Sequence, residues 1–174
     1  QHVDTPMKDD ENGLNHLVRM CRVRVLDKLH EVYGVDTGDD ALRAAVRQHN
    51  EVCRLITEMG GYRKAENPVI TGYEFAVFTL ASYCLPKDKL LPILRETAEE
   101  LRTREPDERH KWRVRVVLAG SEIDDPDFVK LIEDAGAYVA ADRFCFGSLP
   151  GRQEIVLNDT EDVLTQICRQ NIRE

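Results

Sequence analysis

The sequence lacks most of the short motifs by which enzymes and metal proteins are recognised. It has no Cys-x-x-Cys pair, and its five cysteines are widely spaced: Cys21, Cys53, Cys84, Cys145 and Cys168. A scattered, odd-numbered set argues against a disulfide framework and against a zinc site built from this chain alone. G-x-G-x-x-G, G-x-x-x-x-G-K-[ST] and G-x-S-x-G are also missing, so dinucleotide, phosphate-loop and nucleophile-elbow sites lose their main support.

Positive charge and long apolar runs are scarce as well. The formal net charge is −8, from 24 basic and 32 acidic residues, which argues against a nucleic-acid-binding protein. No apolar run approaches the roughly 20 residues of a membrane helix. The first twelve residues carry five acidic or Asn side chains and no signal-peptide pattern, and the chain does not start with Met. We therefore expect a cytoplasmic protein, without nucleic acid or membrane as a partner, and a fragment of a longer polypeptide.

What the sequence does have, in residues 1–111, is helical periodicity. Apolar residues at three- and four-residue steps predict one long buried helical face: Leu14, Leu17, Val18, Cys21, Val25, Leu29 and Val32. Thr71 with Glu74 forms a capping box, and Asp88 predicts the start of another helix. We interpret residues 1–111 as a helical segment that links or covers a following α/β part.

From residue 112 to residue 174 the pattern is that of an α/β domain. The run RVRVVLAG is short and β-branched, as expected of a strand covered on both faces. Asp125-Pro126 predicts a helix start, AYVAAD a second strand, and IVLN a brief third one. A strand, a helix and a strand within about thirty residues, with no hairpin signal, predict a βαβ unit with parallel strands. The predicted fold class is α/β, with a parallel, flavodoxin-like, doubly wound sheet.

The carboxyl ends of these two strands carry the candidate site, because ligands of open α/β sheets bind beyond them. If the strands are neighbours, their ends lie about 5–10 Å apart, and both loops line one pocket. The pocket candidates, in chain order, are Gly120, Ser121, Glu122, Asp142, Arg143, Gly147 and Ser148. No residue is assigned a catalytic role.

Several of these residues have a plainer interpretation beside the functional one. Gly120-Ser121, with helix amides nearby, suits an anion such as phosphate or a thioester oxygen, and equally suits a tight turn. Arg143 fits a clamp for a phosphate or a carboxylate. Asp142 ends its strand where nucleotide-binding folds place a ribose-binding acid, and it equally fits a simple cap of backbone amides.

The loop after the second strand is rich in special residues. Cys145 fits a metal ligand, a nucleophile or, most commonly, an inert packed thiol. Gly147 and Gly151 predict positive φ, with Pro150 stiffening the loop between them.

Four motifs in the α/β part occur together: Gly120-Ser121, Asp125-Pro126, Ile132-Glu133 with Gly136, and Ala141-Asp142 followed by Cys145, Gly147 and Ser148. This combination resembles the 2-hydroxyacyl-CoA dehydratase and benzoyl-CoA reductase family. The runs VDTPMK, HNEVCRLI and PVITGYEF are also similar to that family, so the resemblance covers nearly the whole chain.

The resemblance implies a subunit of an oxygen-sensitive enzyme of anaerobic metabolism. In that family two related subunits form a heterodimer, each holds an iron–sulfur cluster through cysteines, and an ATP-dependent activator delivers low-potential electrons. The substrate is an acyl-CoA thioester, which one-electron reduction converts to a radical. The outcome is either a lyase reaction that removes a 2-hydroxyl group or an oxidoreductase reaction that dearomatises benzoyl-CoA. The aromatic loop DRFCFGS favours the benzoyl-CoA reductase side.

The chain also departs from the family pattern. The family's cluster cysteines come mainly from segments that are not present here, and Leu149 stands where many members carry Arg. We therefore expect a central fragment that is inactive alone, with Cys145 as its metal-ligand candidate. Two other interpretations stay open, a non-catalytic binding or scaffold subunit of the same fold and a flavodoxin-like nucleotide-binding module. The acyl group, the cluster type and the oligomeric state stay open too.

Overall fold

The structure, a computed structural model, describes most of the chain in three stretches: 3–106, 112–148 and 153–172. The first stretch is helical and contains α1 (Glu11–Cys21), a π-helical segment (Arg22–Leu26), α2 (Asp27–Tyr33), α3 (Asp39–Tyr62), α4 (Gly72–Cys84) and α5 (Lys87–Thr103). The later stretches contain β1 (Val114–Ala119), α6 (Pro126–Asp134), β2 (Ala137–Arg143) and α7 (Val163–Asn171). Within these stretches no helix is both long enough and apolar enough to cross a membrane. Pro150 and Gly151, expected to shape the long loop, lie outside the described residues.

Contacts divide the chain into two units, and the boundary between them falls inside α3. One unit combines Gln1–Arg47 with Ile155–Glu174, and the other is Gln48–Glu154. The division of the sequence at residue 111 stays a prediction.

The first unit has a small core in which α1 and α7 take part. Its buried residues are Leu14, Leu17, Leu164 and Cys168. The side chain of Asp10 caps α1 by accepting the N–H of Gly13 at 2.8 Å. The predicted strand IVLN is wrong, because its last residue, Asn158, bonds to a side chain of α7 instead of to a strand. The N–H of Asn158 donates to Gln166 Oε1 at 2.7 Å, and its carbonyl accepts from Gln166 Nε2 at 3.1 Å.

The predicted continuous face of the first helix is wrong beyond Cys21. The chain passes there into the π-helical segment, whose i→i+5 bonds hold more residues per turn than an α-helix does. The positions that follow are therefore rotated out of the α-helical repeat. Val25 and Val32 are 38% and 63% exposed, whereas Leu14 is only 3% exposed. Gly34 ends α2 in a left-handed conformation, with φ of 65°.

The second unit has a larger core in which residues of α3, α4 and α5 pack together. The buried residues are Val52, Ile56, Met59, Ile70, Phe75, Leu90, Leu91, Leu94 and Leu101. The predicted capping box is confirmed, since Thr71 Oγ1 accepts the N–H of Glu74 and the Glu74 carboxylate accepts the N–H of Thr71. α5 begins at Lys87 after Pro86, so Asp88 is not its cap but lies in its first turn, where a negative charge suits the helix dipole.

The α/β class and the parallel strands are confirmed by a β1–α6–β2 unit. Asp125 caps α6 by accepting a first-turn N–H, and Pro126 is the first helical residue, as predicted. Gly136 leads into β2 at φ of 98°, which favours glycine. The pairing of the strands shifts between Val116 and Val117. The described part of the sheet has two strands, so a doubly wound, flavodoxin-like order stays a prediction.

Candidate functional site

The two loops predicted to form the site lie side by side at the carboxyl ends of β1 and β2. The N–H of Gly120 donates to the carbonyl of Arg143 at 3.3 Å, and the N–H of Cys145 donates to the carbonyl of Ser121 at 3.1 Å. These bonds join the two segments of chain at the ends of the strands and in the loops that follow. Ser121, Glu122, Arg143 and Cys145 are exposed there.

Asp142, at the end of β2, is bonded on both oxygens of its carboxylate. Oδ1 accepts from Arg63 Nη1 at 2.8 Å, and Oδ2 accepts from the N–H and the hydroxyl of Ser148 at 2.8 and 2.9 Å. The Arg63 and Asp142 side chains are only 5% and 7% exposed. Because both oxygens are bonded within the protein, Asp142 fixes the loop and is poorly placed to bind a ribose hydroxyl.

Gly147 allows the loop to close on Asp142. A Cβ atom at Gly147 would lie 2.2 Å from Asp142 Oδ2 and 3.1 Å from Phe144 Cβ. The positive φ predicted for Gly147 is wrong, since Gly34 and Gly136 are the glycines that have it in the described chain. Glycine is needed at position 147 for space and not for an unusual backbone conformation.

Arg63, directly after α3, is a site residue that the sequence did not reveal. Its guanidinium lies over the ring of Phe75, with Cζ 3.7 Å from the ring centroid. Its carbonyl accepts from Arg115 Nη2 at 2.6 Å. Among the described residues, Arg63 Nε is a buried donor that has no acceptor. No signal marks this arginine, because it stands in the polar run YRKAENP, where a charged side chain is expected to be solvated.

Glu133, on α6, connects three elements through one buried carboxylate. Oε1 accepts from the N–H groups of Gly72 and Val139 at 2.9 and 3.1 Å, and Oε2 accepts from the N–H of Tyr73 at 3.0 Å. Gly72 and Tyr73 open α4, so Glu133 takes two of the amides that a helix N-terminus leaves without partners. At α6 the Asp125 carboxylate takes another such amide. Glu133 is therefore a structural connection, and the N-terminus of α4 offers little to an anion.

A narrow cavity lies beside these groups. It measures about 20 Å³, and about 380 Å³ of empty space when its open mouth is included. Its walls are largely apolar and include Leu80, Ile123, Val129, Val139, Phe144 and Phe146. Arg63, Asp142, Asp124 and Asp125 supply charged groups, and Gly147 also lines it. A volume of about 20 Å³ is enough room for a water molecule.

Cysteines are not gathered at this site. Within the residues that the structure describes, no group of three His, Cys, Asp or Glu side chains could hold a metal ion. Cys145 is exposed, while Cys53 is buried and lies beside His49, with 3.4 Å between Sγ and Nε2. Burial and the neighbouring thiol of Cys21 raise the pKa of Cys168 to about 12, which keeps that thiol protonated. The described residues alone do not fit an iron–sulfur cluster, which needs several thiolates together, and Cys145 as a metal ligand stays a prediction.

The chain matches a protein-family model and a characterised relative. The family model described as 2-hydroxyglutaryl-CoA dehydratase, D-component, matches residues 2–174. One of the subunits of the benzoyl-CoA reductase of Thauera aromatica is 25% identical over 148 residues, which are 83% of this chain and 37% of that protein. The chain thus spans little more than a third of the length of that relative.

Proposed function

The chain belongs to the 2-hydroxyglutaryl-CoA dehydratase, D-component, family, and from that membership we propose that it is part of an enzyme subunit that binds an acyl-CoA thioester. The observation that carries the proposal is the family match over residues 2–174, which also confirms the resemblance inferred from the four motifs. The names of the family and of the matched relative are those of dehydratase and reductase components, so members of the family are parts of enzymes.

The loops at the ends of β1 and β2 are the part that we propose to meet the thioester. Asp142 and Ser148 are bonded to each other, and Gly147 gives them the space to do so. These three residues shape the loop. Ser121 and Arg143 are exposed, so they supply a hydroxyl and a cation for the ligand. A guanidinium suits the phosphates of CoA because it offers paired donors and a permanent charge.

The finer reaction is also a proposal. We propose one-electron reduction of the thioester in a complete subunit that carries an iron–sulfur cluster, pairs with a related subunit and receives electrons from an ATP-dependent activator. Because the described cysteines do not gather into a cluster site, the chemistry that this chain itself supplies is binding and positioning of the thioester. The loop contributes two aromatic side chains, Phe144 and Phe146, to the wall of the cavity. Tyr83 lies edge-on to Phe146, with 5.9 Å between the ring centroids. These rings favour an aromatic acyl group and therefore the reductase class over the dehydratase class.

The test is anaerobic purification of the full-length protein, with iron and sulfide analysis, EPR after reduction and calorimetric titration of benzoyl-CoA. We expect the protein to contain an iron–sulfur cluster and to bind benzoyl-CoA. An Arg143→Gln variant should bind benzoyl-CoA several-fold more weakly, whereas Lys130→Gln, which removes an exposed cation paired with Asp134 on α6, should bind it normally.

The possible results separate the alternatives. Thioester binding without any cluster would favour a non-catalytic binding or scaffold subunit of the same fold. Binding of a free nucleotide in preference to thioesters would favour the flavodoxin-like alternative. Failure to bind any CoA thioester would overturn the proposal.

A further inference from the structure

Two cysteines from distant parts of the sequence meet in the core of the first unit. Cys21 is the last residue of α1, and Cys168 lies within α7. Cys168 is one of the buried residues of that core, and Cys21 packs against them. The two thiols are close enough to interact directly, by a hydrogen bond and electrostatically. They therefore form a pair of neighbouring, unoxidised thiols.

The two thiols of this pair differ in their access to solvent, which gives them different roles. Cys168 is 2% exposed, and its burial together with the neighbouring Cys21 thiol raises its pKa to about 12. A thiol kept protonated in this way reacts poorly with a dissolved reagent, because the thiolate is the nucleophile. Cys21 is only half-buried, so a reagent in solution meets Cys21 first.

We propose that Cys21 and Cys168 are a redox-active pair, which forms an intramolecular disulfide when the protein meets a disulfide oxidant such as oxidised glutathione. In the first step the Cys21 thiolate attacks one sulfur of the oxidant, whose S–S bond breaks, and Cys21 is left in a mixed disulfide with glutathione. In the second step the Cys168 sulfur attacks that of Cys21, and its proton passes to the departing glutathione sulfur. The two cysteines together lose two electrons, and the oxidant is reduced to two thiols.

The disulfide ties α1 to α7, two helices that stand near opposite ends of the sequence. It closes a loop of about 150 residues, and a cross-link that closes a long loop restricts the unfolded chain strongly. The first unit consists of two separate segments, Gln1–Arg47 and Ile155–Glu174, and the bond joins one segment to the other covalently. The loops of the candidate site belong to the second unit, so this modification site uses none of the residues proposed to bind the thioester.

The test is treatment of the anaerobically purified full-length protein with excess oxidised glutathione, followed by alkylation of the remaining thiols and peptide mapping by mass spectrometry. More than about half of Cys21 should be recovered joined to Cys168, in a form that a reducing agent separates. In Cys168→Ser the first step still occurs, so Cys21 should retain one glutathione. In Cys21→Ser the buried Cys168 thiol should stay largely unmodified. The matched control Cys84→Ser, which removes an exposed cysteine, should still form the bond.

Recovery of Cys21 and Cys168 in separate peptides, alkylated or each carrying glutathione, would overturn the inference, and so would a bond from Cys21 to a different cysteine. If the variants do not fold, the peptide map of the wild-type protein still decides. As a second measurement, oxidation should raise the melting temperature of the wild type by at least about 2 °C and leave that of Cys168→Ser unchanged. A lower melting temperature for the oxidised wild type would mean that the fold does not hold the pair in bonding geometry, and would overturn the inference. Thioester binding enters none of these measurements, so their failure leaves the proposed function standing.

Discussion

Replacing Gly72 by alanine should destabilise the protein by about 2–4 kcal/mol. The added methyl group would lie 2.6 Å from Val139 Cβ, 3.0 Å from the Val139 carbonyl oxygen and 2.9 Å from Glu133 Oε1. If β2 moves away to make room for the methyl group, the cost is that of an overpacked core, about 1–3 kcal/mol. Moving the carboxylate loses a hydrogen bond of a charged group, which is worth about 1.5–3 kcal/mol. The two costs overlap, because either movement relieves part of the clash, and so they do not add in full.

Urea denaturation followed by circular dichroism measures the change through the midpoint and the slope. For a chain of this length each kcal/mol also lowers the melting temperature by about 2–4 °C. The matched control is Gly61→Ala in α3, where the added Cβ would meet no atom within 4 Å among the described residues outside its own stretch of helix. It should be neutral or stabilise by up to about 1 kcal/mol. A Gly72→Ala protein within about 0.5 kcal/mol of the wild type would refute the close approach of α4 and β2.

Three further predictions concern the loop, the ion pair and a buried thiol. Gly147→Ala should lower the free energy of unfolding by about 1–3 kcal/mol in thermal melts, whereas Gly120→Ala, with its nearest neighbour 3.6 Å away, should change it by less than about 0.5 kcal/mol. Asp142→Asn should cost about 3–5 kcal/mol in chemical denaturation because it leaves the charge of Arg63 buried and unpaired, and Arg63→Met with Asp142→Leu should recover much of it. Burial raises the pKa of Cys168 from 9.0 to about 12, so the folded protein keeps this thiol protonated more strongly than the unfolded chain does. The resulting contribution to the free energy of unfolding is complete below pH 9 and is lost as the pH rises from 9 towards 12. Urea denaturation should therefore show the free energy of unfolding falling by up to about 1.4 kcal/mol per pH unit above pH 9. The Cys168→Ala protein should not show this fall.

Contrary results would be equally informative. An unchanged melt for Gly147→Ala would mean that the loop does not close tightly on Asp142. A stable Asp142→Asn protein would mean that Arg63 has another acceptor. A Cys168→Ala protein with the same loss above pH 9 would assign that loss to other groups.

The α/β unit could be predicted because its signals are local. Asp125-Pro126 starts a helix with its own side chain and ring, and Gly136 supplies the positive φ that the following turn needs. A short strand-like run on each side of that helix, with no hairpin signal between them, leaves a parallel pair as the simplest arrangement. The meeting of the two strand ends follows from that arrangement and needs no knowledge of distant residues.

The polar centre of the candidate site could not be predicted in the same way. Asp142 and Arg63 are 79 residues apart, and neither stands in a pattern that names its partner. Gly147 was identified as special, but for its backbone, because the atom that demands glycine is a carboxylate oxygen of Asp142 brought there by the folded loop. Contacts of this kind depend on packing between elements, which periodicity does not record.

The π-helical segment between α1 and α2 determines which side of the helix the residues after it lie on, relative to those before it. Val32 follows Leu14 by 18 residues, which is five turns of 3.6, so an unbroken α-helix would place both on one line. The widened turn takes up one residue more and rotates everything after it by about 100°. Deleting one residue within Arg22–Leu26 should therefore turn this segment into α-helix while each side chain of α2 keeps its direction relative to α1. Converting the turn to α-helix without a deletion would swing Val25 and Val32 to the side of Leu14.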